Sequence, residues 1–339
     1  MISVIIPLYN KEHTIGHTLQ TVFDQTYKDF EVLIVDDGST DDSVTIVSQR
    51  FSDPRIRLIR QANRGASAAR NRGVRESRSE WVSFLDADDE WHPQFLETIV
   101  GLIHKYPSVN MVGTGGFNKN MKTGHFTINL IGKYTNQDLL LNYFINPDKM
   151  PHVGATAIRK SVFFEVGGFP EGIWRSEDVC LLDKIGLTSP IAYCGRPFHV
   201  YVGGVEGQVT SISDSRNKEK RECEGFVYSE VYKMYLQAVN ADKLPPIFIK
   251  YKLRCFYDIY LRSSDYVSIY SLNESISNDL KRLLGSWFFQ VNTIKLLRRI
   301  LIFYILLTKL IWRLHRFPVV GEVINPSPEF VEMYNQIRK

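Results

Sequence analysis

Asp86-Ala87-Asp88-Asp89 sets three carboxylates within four residues at the end of an apolar run, Trp81 to Leu85. Carboxylates so crowded repel one another unless a cation or buried donors compensate. A divalent magnesium or manganese ion would do this, because it prefers oxygen ligands and commonly binds through one or two carboxylates plus substrate phosphates. The competing reading is a solvated acidic turn capping the next helix, a role open to Asp89 in particular. A second acidic group, Asp36-Asp37-Gly38-Ser39, closes the run Phe30 to Val35, where it either meets a ligand or caps a turn. The third, Glu177-Asp178, follows Gly167-Gly168-Phe169-Pro170-Glu171 and opens a helical stretch from Val179 to Ile185. Such a pair can take a proton from an attacking hydroxyl, or it can simply complement a helix dipole. Arg64, Arg70 and Arg72 fall between the first two groups. A guanidinium matches phosphate and carboxylate oxygens in forked geometry, so each could meet a ligand's phosphates, the acidic cluster or an ordinary structural partner.

The elements that must carry these residues alternate. Ser3 to Pro7 and Phe30 to Val35 are short apolar runs rich in β-branched residues, as buried strands require. Between them Ile15, Leu19, Val22 and Phe23 recur at helical spacing, and Val44, Val47 and Phe51 mark a second helix after the capping residues Ser39 to Asp42. Ile56 to Ile59, Ala66 to Val74 and Trp81 to Leu85 continue as strand, helix and strand. This order predicts a mostly parallel sheet flanked by helices, with ligands at the carboxyl ends of its strands. Pro7-Leu8-Tyr9-Asn10, the Asp36 group and the Asp86 group each follow directly on a strand, so they converge on one edge. From Asn110 to Ile212 glycines and short apolar runs suit strands and loops of a second subsite, and near Ser215 the sequence turns helical in character.

Bulk properties set limits. The 339 residues, 44% hydrophobic and 23% charged, suit a folded chain of about two domains rather than disorder or a polytopic membrane protein. A net charge of +4 is too small to argue for nucleic acid. Cys180, Cys194, Cys223 and Cys255 form no CxxC pair and are read as reduced thiols in a cytoplasmic setting. Met1 to Pro7 lacks a basic leader and is read as structural.

Taken together, Pro7, Tyr9 and Asn10 with Lys11-Glu12, Gln25-Thr26-Tyr27, Val35 to Asp41, Asn63-Arg64-Gly65, Ala69 to Gly73 and Phe84 to Asp89 resemble the family 2 inverting glycosyltransferases. The likeness is strong over residues 1–110 and weaker over 150–180, and it is specific for the family rather than for the sugar. It implies the GT-A fold, with residues 1–215 as the catalytic domain: 1–110 for the nucleotide-sugar and 111–215 for the acceptor. Residues 216–339 are then a helical C-terminal extension. By the same likeness Pro7 and Tyr9 lie beside the nucleoside and Asp37, with Asp36, accepts a hydrogen bond from the base. Arg64, Arg70 and Asp86 join the donor site, Asp88 ligates the metal bridging the diphosphate, and Asp178 is the base with Glu177 positioning the acceptor. A carboxylate can accept from uracil N3–H, which favours a UDP-sugar. His152, Gly154, Ala155 and Thr156 are candidates for the acceptor cleft, and His199 and Tyr201 for the diphosphate.

Residues 280–316 hold eight Lys and Arg with no Asp or Glu, around an apolar stretch from Ile300 to Leu307 too short to span a bilayer. Trp287, Phe288, Phe303, Tyr304 and Trp312 fit a basic amphipathic helix on an anionic membrane, or else a helix packed on the catalytic domain. The expected protein is a peripheral enzyme on the inner face of the cell membrane. It extends a glycan, lipid-linked in the favoured reading, during cell-envelope polysaccharide synthesis. Transfer to a polyprenyl monophosphate and non-catalytic nucleotide-sugar binding are the alternatives.

Overall fold

Ile2–Leu8 (β1), Phe30–Asp36 (β2), Ile56–Arg60 (β3) and Trp81–Phe84 (β4) pair in parallel in the order β3-β2-β1-β4. They belong to a computed structural model that describes residues 1–129, 138–141, 151–173 and 175–204, with 230, 231 and 234. The expected C-terminal extension, its basic segment 280–316, the boundary near Ser215, and Cys223 and Cys255 lie outside the described residues. Cys180 and Cys194 are both buried.

Every residue of β2 is buried, and all of β1 except Pro7, because helices cover both faces of a parallel sheet. Ile15–Phe23 (α1) and Ser43–Arg50 (α2) each turn an apolar stripe inward. Ala66–Glu76 (α3) is the smallest in side chain: Ala68, Ala69 and Gly73 are buried, and a Cβ on Gly73 would stand 2.4 Å from Ile5 Cγ2. Glycine there lets α3 lie close on β1.

Beyond β4 the sheet becomes mixed. Among the described residues it continues through Thr156–Arg159 (β9), Met111–Asn120 (β6), Ile191–Gly203 (β10) and Glu90–Trp91 (β5), with Phe126–Asn129 (β7) on β6 and Asp138–Leu141 (β8) on β10. β9 is antiparallel to both β4 and β6, whereas β6 and β10 are parallel. The parallel order read from the sequence thus holds for β1 to β4 and recurs between β6 and β10, while β5, β7, β8 and β9 join antiparallel. Among the described residues, Phe95–Lys105 (α4), Lys160–Glu165 (α5) and Glu177–Gly186 (α6) are further helices. Trp91 ties the halves together: it is fully buried, stacks on Phe95 at 4.3 Å and donates its indole N–H to the Gly154 carbonyl at 2.6 Å.

Candidate active site

The register pairs Leu8 with Asp36 and Ile5 with Phe84, so β1 and β2 end level while β4 ends beside Ile5 and passes into the Asp86 turn. The backbone continues this alignment, with the Asp37 N–H donating to the Leu8 carbonyl at 2.8 Å and Leu85 N–H to Ile5 at 3.0 Å. Above these ends lies a cleft of about 650 Å³. Pro7, Tyr9, Asp37, Arg64, Arg70, Asp86 and Asp88 line it from the first half of the chain. His152, Gly154, Arg175, Glu177, Asp178 and Tyr201 line it from the second.

The Asp86 turn hands each carboxylate to a different segment. Asp86 accepts from Arg70 Nη2 at 2.6 Å, Asp88 faces the Lys11 ammonium at 2.8 Å, and Asp89 meets His199 Nε2 at 3.0 Å. Asp89 also accepts the Val202 N–H at 3.0 Å. Burial, with Asp86 and Asp88 beside it, pushes the Asp89 carboxyl well above the usual range, and burial lowers His199 to about 4. Asp89 lies in the cleft lining but is only 3% accessible, so it is not a solvated cap.

Arg70 is the hinge of the arrangement. Its side chain is 5% exposed, its second Nη donates to Glu177 at 3.0 Å, and its guanidinium lies 5.2 Å from the Phe169 ring centroid. Burial alone would lower its pKa, but Asp86 and Glu177 raise it, so the charge is permanent. Through one cation the acidic turn after β4 is joined to the first residue of α6. Next to it, Asp178 is pushed up to about 6 by burial and by the neighbouring Glu177 charge, against the Val179 N–H and Arg70. That value leaves it largely ionised at neutral pH yet basic enough to accept a proton.

Asp37 takes hydrogen bonds from Gln61 Nε2 and from the backbone N–H of Arg64 and Gly65 at 2.7 to 2.9 Å. It holds the Asn63–Gly65 loop against β2. Asp36 stands apart: it is fully buried, accepts from Ser39 N–H and pairs with Arg60 at 3.2 Å, and it does not line the cleft. Arg64 and Arg70 reach carboxylates, Arg64 meeting Glu171 at 2.9 Å, while Arg72 donates to the Arg60 carbonyl away from the cleft. Ala155 and Thr156 are buried behind the lining, and His199 is fully buried, whereas His152 and Tyr201 stack in the cleft at 5.2 Å. Lys11, His199 as partner of Asp89, Glu171 bridging Arg64 and Asn71, and Arg175 carry no sequence assignment. Asp89 and His199 are 110 residues apart, and no local pattern relates them.

A mixed α/β sheet flanked by helices, with an acidic turn and an acidic helix start lining one cleft, matches the GT-A fold of glycosyltransferases. Residues 3–167, a little under half of this chain, match the family described as Glycosyl transferase family 2. An uncharacterized glycosyltransferase of Haemophilus influenzae is 28% identical over 251 residues, covering 71% of this chain and 81% of its own. The amylovoran biosynthesis glycosyltransferase AmsB of Erwinia amylovora is 37% identical over 134 residues, covering 35% and 44%. The chain spans about a third of the length of several other curated relatives. Staphylococcus aureus TarS, solved with UDP-GlcNAc, superposes with a TM-score of 0.57 at 17% identity over 77% of this chain and 81% of its own. The mannosyltransferase PcManGT of Pyrobaculum calidifontis, solved with GDP-Man and Mn2+, gives 0.50 at 17% identity over 88% and 82%.

Proposed function

We propose that this protein transfers a sugar, with inversion, from a UDP-sugar to a hydroxyl of a glycan acceptor in cell-envelope polysaccharide synthesis. The observation that carries this reading is that Asp178 and the Asp86–Asp88 turn line one cleft, with Arg70 linking Asp86 to Glu177, the neighbour of Asp178. Asp178 takes the proton of the acceptor hydroxyl as its oxygen attacks the anomeric carbon, and the bond to the diphosphate breaks on the far side. Glu177, oriented by Arg70, positions the acceptor.

Asp88 and Asp86 present hard oxygen ligands, which suit magnesium or manganese. Among the described residues no three His, Cys, Asp or Glu side chains cluster as a self-sufficient metal site. The donor's phosphates would complete the coordination, and the cation when bound would neutralise the leaving diphosphate. Lys11 already presents a positive charge to Asp88 from the same lining. Asp37 accepts three hydrogen bonds, and a carboxylate offers about four acceptor positions, so one remains for uracil N3–H. The UDP-GlcNAc in TarS supports uridine, and GDP-Man in PcManGT shows that this fold also serves guanosine. The name of AmsB supports an envelope polysaccharide as product.

Residues 280–316, rich in Lys and Arg, support docking on an anionic membrane and hence a lipid-linked acceptor. Among the described residues no helix is long and apolar enough to cross a membrane. The test of the whole reading is to screen UDP- and GDP-sugars for turnover with manganese and to read the product's anomeric configuration by NMR. A product that retains the donor's configuration would remove the single-displacement role of Asp178.

A further inference from the structure

The cleft is rich in carboxylates, and they take up its cations one by one. Lys11 faces Asp88, Arg64 pairs with Glu171, and Arg70 lies between Asp86 and Glu177. Arg175 differs. It lines the same cleft and is half-buried, yet among the described residues it has neither an ion pair nor a hydrogen bond. Its turn is held in an unusual path, with Gly172 at φ +83 and the non-glycine Ser176 at φ +63. Left-handed backbone at Ser176 is unfavourable for a residue with a Cβ and is associated with binding and catalytic segments. The turn delivers the chain straight into α6, so Arg175 lies two residues before Glu177 and three before Asp178. It therefore belongs to the acceptor side of the cleft.

A guanidinium is charged at every accessible pH and carries five donors in a planar fork. Half-buried in a cleft that carboxylates also line and still unmatched among the described residues, it presents that fork to whatever enters. The ligand that satisfies it is an oxyanion with two free oxygens, and in a cleft built for glycosyl transfer that oxyanion is a phosphate. We propose that Arg175 binds a phosphate group of a substrate, so that the acceptor side recognises phosphate as well as sugar. This rests on the transferase reading above. Two sources supply the chemistry: a phosphate joining the acceptor sugar to its carrier, or the donor's own diphosphate.

The experiment uses the full chain and two acceptors that share one saccharide, one linked to an alkyl chain through a diphosphate and the other a neutral alkyl glycoside. Arg175→Met and Arg175→Lys are compared with wild type in acceptor KM, in direct titration of each acceptor into UDP-loaded protein, and in UDP affinity with manganese. Loss of a charge-assisted contact predicts roughly a ten-fold or greater weakening for the diphosphate acceptor in Arg175→Met. The neutral glycoside is unaffected, and Arg175→Lys is intermediate. An equal weakening for UDP, with both acceptors unchanged, assigns the phosphate to the donor. No change in either the UDP or the acceptor measurements overturns the proposal. So does a lowered melting temperature in both variants, because that would reveal a partner for Arg175 inside the fold. A wild type that binds both acceptors and transfers to neither would sink the transferase reading while leaving the Arg175 binding comparison intact.

Discussion

Asp178 is a carboxyl whose surroundings work against its charge, with Arg70 as the counterweight. A base must be ionised, so turnover should rise as the pH climbs through about 6 and then level off. Asp178→Asn should cost about 10²-fold or more in kcat while UDP affinity stays within error. The neighbours move the limb in opposite directions. Glu177→Gln removes a negative charge that holds the Asp178 pKa up, so the acidic limb should shift to lower pH. Arg70→Met removes a positive charge that holds it down, and the limb should shift to higher pH. A limb that stays in place in both variants would mean that another group governs it. The carboxylates themselves were legible as residue types at strand and helix ends. Their partners were not, since Arg70 and Glu177 are 107 residues apart and only the closed sheet brings them within 3.0 Å.

At the scale of elements, the first four strands and three helices follow the apolar runs closely, because each buried strand is bounded by polar residues and each helix has one apolar stripe. The region from Met111 onward was harder to read. β10 runs for 13 residues but changes register around Pro197, so its burial does not alternate cleanly. β9 enters between β4 and β6 although it follows β6 in sequence, a topology that no local periodicity encodes. The close seat of α3 on β1 gives a prediction of its own. Gly73→Ala gains helix propensity worth about 1 kcal/mol, yet its methyl would strike Ile5 Cγ2, which is fully buried. Overpacking of this kind costs about 1–3 kcal/mol, so thermal melting should show a net loss. Adding Ile5→Ala removes the struck atom, and the double variant should be less destabilised than the two singles summed. Strict additivity would place the strain elsewhere.

For the whole molecule, donor binding and membrane docking should separate. UDP should bind weakly in chelator and more tightly with manganese, because Asp86 and Asp88 otherwise face the diphosphate with like charge. Asp88→Ala should shrink that difference in calorimetry, and equal affinity with and without metal would remove Asp88 from the site. Vesicles test the basic segment. The full chain should sediment with anionic lipid and a chain truncated before Leu280 should not, with salt weakening the binding but leaving an apolar remainder. Equal sedimentation of both would make residues 280–316 a packing segment and deprive the lipid-linked acceptor of its main support.

The pairing of Asp89 with His199 and the Val202 N–H also dictates an order of events during folding. β1 to β4 are joined by nearby connections and can associate early, whereas Asp89 must wait for a strand more than a hundred residues later. Until β10 docks, three neighbouring carboxylates repel one another, with Arg70 and Lys11 to offset them among the described residues. A chain still emerging from the ribosome would hold β1 to β4 near completion while the acidic turn stays open to water. Pulse-labelled refolding should therefore protect the amides of β1 and β2 before that of Val202. Simultaneous protection would mean that the turn, β10 and the early strands close as one cooperative unit.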